Sequence, residues 1–266
     1  MNDYIVNLEN VNFGYNEERL ILNNISLSIP KGQIVAIMGG SGCGKTTLLR
    51  LICGQYRADS GIVKVINKNI NLLSKSEILK LRTQIGMLFQ FGALFTDMTV
   101  NENVAFSLKE HTDLPQSIID LIVAMKLKAV GLFGTGNLYP NQLSGGMSRR
   151  VALARSIALD PALMLYDEPF TGLDPISLNV TAMLIQKLNQ TLGQTSILVT
   201  HDIQTTMAIA DYIYFMGDGK VIAQGTPQEI STSDTPIVKQ FLHGNVEGPV
   251  DFEYKSNLSY QKFLGY

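Results

Sequence analysis

The sequence predicts an α/β fold: a buried, mainly parallel sheet flanked by helices, with a helical insertion in the middle of the chain. Three observations predict it. Short apolar runs at residues 34–38 and 162–166 have the length and composition of strands covered on both faces. A glycine-rich loop at residues 39–46 joins the first run to an apolar, helix-forming stretch at 46–53. From about residue 99 to 159, strand signals fade and apolar residues recur at helical spacing.

The elements follow in order. Residues 4–8 and 11–15 read as two short strands, and 25–29 and 33–38 as two more, parted by the turn Pro30-Lys31-Gly32. Residues 62–66 and 85–89 are expected to be strands. Val100, Asn103, Val104 and Ser107 share one helix face, as do Ile118, Leu121, Ile122 and Met125. The βα alternation then returns, with strands at 163–166 and 197–200 and helices at 177–192 and 204–210. Residues 212–216 and 221–224 predict a closing hairpin around Gly217-Asp218-Gly219. The expectation is one domain over 1–243, with a helical insert at about 99–160 and an extension at 244–266. In that extension Gly248-Pro249 breaks any helix. Phe252, Tyr254, Tyr260, Phe263 and Tyr266 make it too aromatic for an ordinary disordered tail.

Composition narrows the function classes. Of 266 residues, 45% are apolar and 17% charged, which provides a sizeable core. The net charge of −2 gives no overall basic field, so no nucleic-acid partner is expected. Cys43 and Cys53 offer neither a disulfide framework nor metal-ligand spacing. The opening residues lack a basic segment followed by an apolar run, and no stretch approaches ~18 consecutive apolar residues. A role at a membrane would therefore run through a partner.

Gly39-Gly40-Ser41-Gly42-Cys43-Gly44-Lys45-Thr46 fits the phosphate-binding pattern G-x-x-x-x-G-K-[ST] in full, between a strand and a helix. Glycines let successive N–H groups curl around an anion, and the following helix aims its positive end at it. Lys45 would reach the outer phosphates of a nucleotide, and the Thr46 hydroxyl would ligate Mg²⁺. The apolar run 162–166 ends in Asp167-Glu168-Pro169, at the strand end where ligand chemistry gathers in an open parallel sheet. Asp167 would hold Mg²⁺ and Glu168 would act as general base on water. Taken alone, such a pair also fits a helix N-cap. His201 follows a second strand, where a histidine is either structural or a γ-phosphate sensor.

Leu143-Ser144-Gly145-Gly146-Met147 precedes a helical stretch a little over twenty residues before the acidic pair. With Tyr15, the phosphate loop, Gln90, Asp167-Glu168, Gly172-Leu173-Asp174 and His201 in this order, the chain resembles the ABC ATPase cassettes from residue 4 to about 242. The resemblance implies a P-loop NTPase fold: a RecA-like core sheet, an antiparallel β subdomain and an inserted α-helical subdomain. It implies ATP contacts from Tyr15, the loop, Thr47 and Gln90, with Gln90 also sensing Mg²⁺ and a permease. It implies that Lys45, Glu168 and His201 serve hydrolysis. Ser144, Gly145 and Gly146 would bind the γ-phosphate of ATP held by a second copy, with Asp174 at the subunit boundary. Met147 departs from the family, where glutamine is usual, and removes a polar contact.

A narrower resemblance rests on residues 87–98, on Met147-Ser148-Arg149-Arg150 and on residues 167–176. These are similar to ATPase subunits paired with MlaE-type permeases in phospholipid-transport systems. The resemblance implies a place on the cytoplasmic face of a bacterial inner membrane. An MlaE-like permease, an MCE-domain lipid-binding protein and a STAS-domain protein would be its partners. Phe89, Phe91, Leu94, Phe95 and Met98 crowd around Gln90. They are either core or the lining of a groove for a permease helix. The aromatic extension is expected to bury against a partner or against its own domain. A soluble ABC protein acting on DNA or ribosomes, a generic P-loop kinase and an ATP-binding cassette without hydrolysis are the competing classes. The single cassette, the Ser-Gly-Gly signature, and Lys45, Glu168 and His201 speak against them in turn.

Overall fold

The computed structural model describes residues 3–16 and 19–250. The chain opens with strands β1 (Tyr4–Asn16) and β2 (Arg19–Pro30), which pair antiparallel. Strand β3 (Ile34–Gly39) leads into helix α1 (Lys45–Ile52). Next come β4 (Ser60–Val65), β5 (Lys68–Asn69), α2 (Lys75–Arg82) and β6 (Ile85–Leu88). Three helices follow: α3 (Val100–His111), α4 (Gln116–Ala129) and α5 (Gly145–Ser156). The alternation resumes with β7 (Leu163–Asp167), α6 (Pro175–Leu192), β8 (Thr195–Val199) and α7 (Ile203–Ile209). The hairpin β9 (Tyr212–Gly217) and β10 (Lys220–Gly225) and helices α8 (Pro227–Ser231) and α9 (Pro236–His243) complete it.

Two sheets organise these elements. An antiparallel sheet runs β2-β1-β4-β5, and a six-stranded sheet runs β10-β9-β3-β8-β7-β6. In the second sheet β9, β3, β8, β7 and β6 are parallel, so their carboxyl ends share one edge. Alternate residues of its central strands serve two cores. Ala36, Met38, Met164, Tyr166 and Leu198 face the core formed with α3, α5 and α6. Val35, Ile37, Leu165, Ile197 and Val199 face the core formed with α1 and the antiparallel sheet. Burial on both faces explains why these strands read as unbroken apolar runs.

The first two expected strands are in fact one. Pairing of β1 shifts register between Leu8 and Val11, where Asn10 takes φ +50°, and the strand continues past the bulge. Helices α2, α8 and α9 were not expected. Two of them carry legible starts: the boxes Ser74…Glu77 and Thr226…Glu229 each close with reciprocal side-chain and backbone bonds. Helix α9 ends at His243, where Gly244 adopts φ +63°. Its buried Gln240 amide donates to Val250 O (3.1 Å) and accepts from Val250 N–H (2.9 Å). The aromatic residues of the extension lie in 251–266, outside the described residues. Among the described residues no helix is long and apolar enough to cross a membrane.

Candidate functional site

The site is built at the carboxyl ends of β3, β7 and β8. Gly39 closes β3 at φ +146°, and a Cβ there would lie 2.2 Å from Met216 O, so only glycine lets the chain turn. Gly44 at φ +102° caps α1 without a side-chain bond. The first-turn N–H groups of α1 are thus left to an anion. Lys45 is buried, and its Nζ donates to Gly39 O (2.8 Å) and Gly40 O (2.9 Å). The ammonium therefore sits inside the loop, where phosphate oxygens would replace those carbonyls. Cys43 belongs to the loop through its backbone. Its thiol is buried, and burial pushes its pKa up, which keeps it protonated.

Thr46, Asp167, Glu168 and His201 meet beside this loop. Thr46 Oγ1 donates to Asp167 Oδ1 at 3.0 Å, across 121 residues of sequence. Asp167 is only 8% exposed, and burial holds its carboxyl above the usual range, opposed by the Thr46 bond and reinforced by Glu168. Glu168 has φ +49° although it precedes a proline, where an extended backbone is normal. Such a conformation costs on the order of 1–3 kcal/mol and persists where the surroundings fix it. Here Glu168 N–H donates to Val199 O at 2.8 Å, which ties the turn to β8. The turn aims the carboxylate at His201, with Nδ1 to Oε2 at 2.8 Å. Gln90, Glu168 and His201 line a single cleft of about 660 Å³ with the loop, Thr47 and Tyr15.

The far end of the cleft is aromatic. Tyr15 is 51% exposed, and its ring is held edge-on by Phe13 (5.1 Å) and Tyr56 (5.4 Å). Its hydroxyl lies 3.0 Å from Thr47 Oγ1. A fixed, half-exposed ring of this kind offers a face for base stacking. Ile21 and Phe241 also line the cleft. Neither is marked by a sequence signal, because β2 and α9 reach the cleft only through tertiary packing.

Ser144, Gly145, Gly146 and Met147 do not line that cleft. Ser144 caps α5, its Oγ accepting from Met147 N–H at 3.2 Å. Met147 packs half-buried on the core. Asp174 caps α6 by accepting from Ile176 and Ser177 N–H, both at 3.0 Å, and hydrogen bonding from Ser177, side chain first and then backbone, holds its carboxyl below the usual range. Two arginines of α5 reach the Gln90 segment. Arg149 is buried and donates to Phe89 O (3.1 Å), Gln90 O and Thr171 O (2.9 Å). Arg155 donates to Gly92 O and Ala93 O, both at 2.8 Å, with its guanidinium over the Phe95 ring. Neither arginine belongs to a motif that names this contact. A charged residue among the apolar positions of a helix was the signal available.

The aromatic set around Gln90 divides. Phe89 and Phe95 line a groove of about 400 Å³ between α2, α3 and α5. Phe91 lines a different cleft, of about 350 Å³, with Gly145, Ser148, Arg149 and residues 171–173. Leu94 packs against the core, and Met98 is half-buried with its carbonyl bonded by Asn103.

Residues 22–171 match the family described as ABC transporter. The chain belongs to that family. It is 50% identical over 254 residues to "Intermembrane phospholipid transport system ATP-binding protein MlaF" of Haemophilus influenzae, covering 96% of each chain. To the protein of the same name from Escherichia coli K12 it is 49% identical, covering 94% of this chain and 93% of that one. Its fold is similar to the ATP-binding cassette MJ0796, solved as a dimer in a post-hydrolysis state with ADP and Pi. The TM-score is 0.76 at 34% identity, covering 84% of this chain and 98% of that one.

The cleft brings together a glycine-rich loop, the buried Lys45 ammonium, and the Glu168 carboxylate in contact with His201, groups whose chemistry suits phosphoryl transfer. Among the described residues no cluster of three or more His, Cys, Asp or Glu side chains could hold a metal alone. The Thr46 hydroxyl and Asp167 carboxylate, already in contact, fit a hard cation that takes its remaining oxygens from water and nucleotide phosphates.

Proposed function

We propose that this ABC ATPase energises phospholipid transport between bacterial inner and outer membranes through a separate permease. The observation that carries the reading is the 50% identity to the Haemophilus MlaF protein along 96% of both chains. The protein would sit on the cytoplasmic face of the inner membrane beside an MlaE-like permease. STAS-domain and MCE-domain proteins would complete the complex. The groove containing Phe89 and Phe95 would receive a cytoplasmic permease helix, because an exposed apolar hollow between helices suits an amphipathic segment.

In the proposed mechanism ATP lies along the cleft with its base on Tyr15 and its phosphates on the loop. Thr46, Asp167 and Gln90 would hold Mg²⁺, which would offset charge on the outer phosphates. Glu168 accepts a proton from the attacking water. His201, in contact with Glu168 Oε2, would fix that carboxylate and sense the γ-phosphate. Ser144, Gly145 and Gly146 lie outside the cleft of their own chain, so they would close over ATP held by a second copy, with Asp174 at the boundary. The exposed N-terminus of α5 suits that anion.

Reconstitution with an MlaE-type permease and an MCE-domain protein tests the proposal. Transfer of labelled phospholipid between vesicles should require ATP and Mg²⁺. Glu168→Gln should abolish transfer and reduce hydrolysis by about 10²-fold or more while leaving ATP bound. Transfer that proceeds at the same rate with the variant would overturn the reading.

A further inference from the structure

Phe91 is the most exposed aromatic ring among the described residues, at 86%, yet the backbone on both sides of it is anchored. The carbonyls on either side are held by α5: Phe89 O and Gln90 O by Arg149, Gly92 O and Ala93 O by Arg155. Gly92, at φ +73°, packs 3.2 Å from the Ala152 methyl as measured from its would-be Cβ, so a larger residue there would push the segment off the helix. A large apolar ring in solvent on a backbone held from both sides costs less to order on binding than one on a free loop, the property of an interface anchor.

Its neighbours indicate what covers it. Phe91 shares no lining with the groove of Phe89 and Phe95. It borders the cleft formed by Gly145 and Ser148 of the signature helix and Thr171, Gly172 and Leu173, which run directly into Asp174. Across the signature loop, a Cβ on Gly146 would lie 2.6 Å from Ser177 Oγ, so α6 abuts the same loop. Its exposed Ile176 (77%) stands one residue before Ser177. Two exposed apolar side chains, Phe91 and Ile176, thus stand beside segments that border the signature loop, next to the surface assigned above to the second copy.

We propose that Phe91 is an anchor of the ATP-dependent contact between two copies of this chain, burying its ring against the second copy when the signature loop closes over ATP. The inference rests on the pairing proposed above. A permease segment is the other candidate to cover the ring, and the cleft shared with the signature helix argues for the second copy.

The test uses the full-length chain in a Glu168→Gln background, without permease, with sedimentation measured against protein concentration at saturating ATP and Mg²⁺. Glu168→Gln alone should form a dimer. Adding Phe91→Ala should weaken dimerisation about ten-fold or more, while ATP binding by dilute monomer stays unchanged. Phe133→Ala, which removes another highly exposed ring (72%) from the loop after α4, should leave the dimer intact. Unaltered dimerisation of the Phe91→Ala variant overturns the anchor but leaves the pairing standing. A Glu168→Gln protein that stays monomeric with ATP bound overturns the pairing, and the anchor with it.

Discussion

The chemistry concentrates in a few side chains held against their ordinary preferences. Asp167 is a carboxylate kept in a largely dry place, with burial raising its pKa. A carboxyl whose folded pKa is raised contributes stability that is full below its ordinary value, 3.8, and is lost as pH rises through the folded value. Asp167→Asn keeps an acceptor for Thr46 and removes that loss. The nucleotide-free variant should melt above the parent at neutral pH, and the two should converge near pH 3. Thermal unfolding against pH checks this, and a variant that melts lower at neutral pH contradicts it. Hydrolysis should meanwhile be lost, since the amide is a poor ligand for the cation. The φ of +49° at Glu168 is a second unfavourable feature beside it, the pattern expected where stability is given up for the proposed function.

At the scale of elements, α5 does two things. Its N-terminus presents Ser144 and two glycines, and its next turns clamp the Gln90 segment and Thr171 through Arg149. One helix therefore holds the strand-end loops of both β6 and β7. Arg149→Ala would strand its carbonyl partners in a partly buried place and should cost about 2–4 kcal/mol of stability. Arg149→Lys cannot span both loops, because an ammonium lacks the planar fork. It should fold yet lose kcat more than ATP affinity as Gln90 drifts from the cleft. Denaturant melts and steady-state kinetics separate the two outcomes. An unchanged kcat for the lysine variant would show that the clamp is structural only. Helix α5 was legible as a helix. Its clamp was not, because Phe89, Gln90 and Thr171 reach it only through folding of segments 22 or more residues away.

At the scale of the whole molecule, the nucleotide loop and the signature loop of one chain lie on separate clefts, about 660 and 350 Å³. If each ATP needs both, the working unit is a pair. Below the dimer dissociation constant, halving the protein concentration should cut the total hydrolysis rate about four-fold, by mass action. A strictly proportional two-fold fall would mean that one chain suffices. The groove of Phe89 and Phe95 shares no lining residue with the Phe91 cleft, so under the proposals above a permease and a second copy would engage different surfaces. The Gln90 segment joins the two surfaces.

The sequence by itself determined the parts whose physics is local. The loop Gly39–Thr46, the acidic end of β7 and the cap at Ser144 are each contiguous, and each residue type follows from backbone geometry or charge. The doubly covered strands were legible from their unbroken apolar runs. Tertiary structure decided everything that depends on segments distant in the chain meeting. It set Thr46 against Asp167, Glu168 against His201, and Ile21 and Phe241 around the cleft. It also separated Phe91 from Phe89 and Phe95, which stand two and four residues away. Spacing in sequence says which side chains are near along the chain. Which surface each one faces is fixed by the turn at Gly92 and by the arginines of α5.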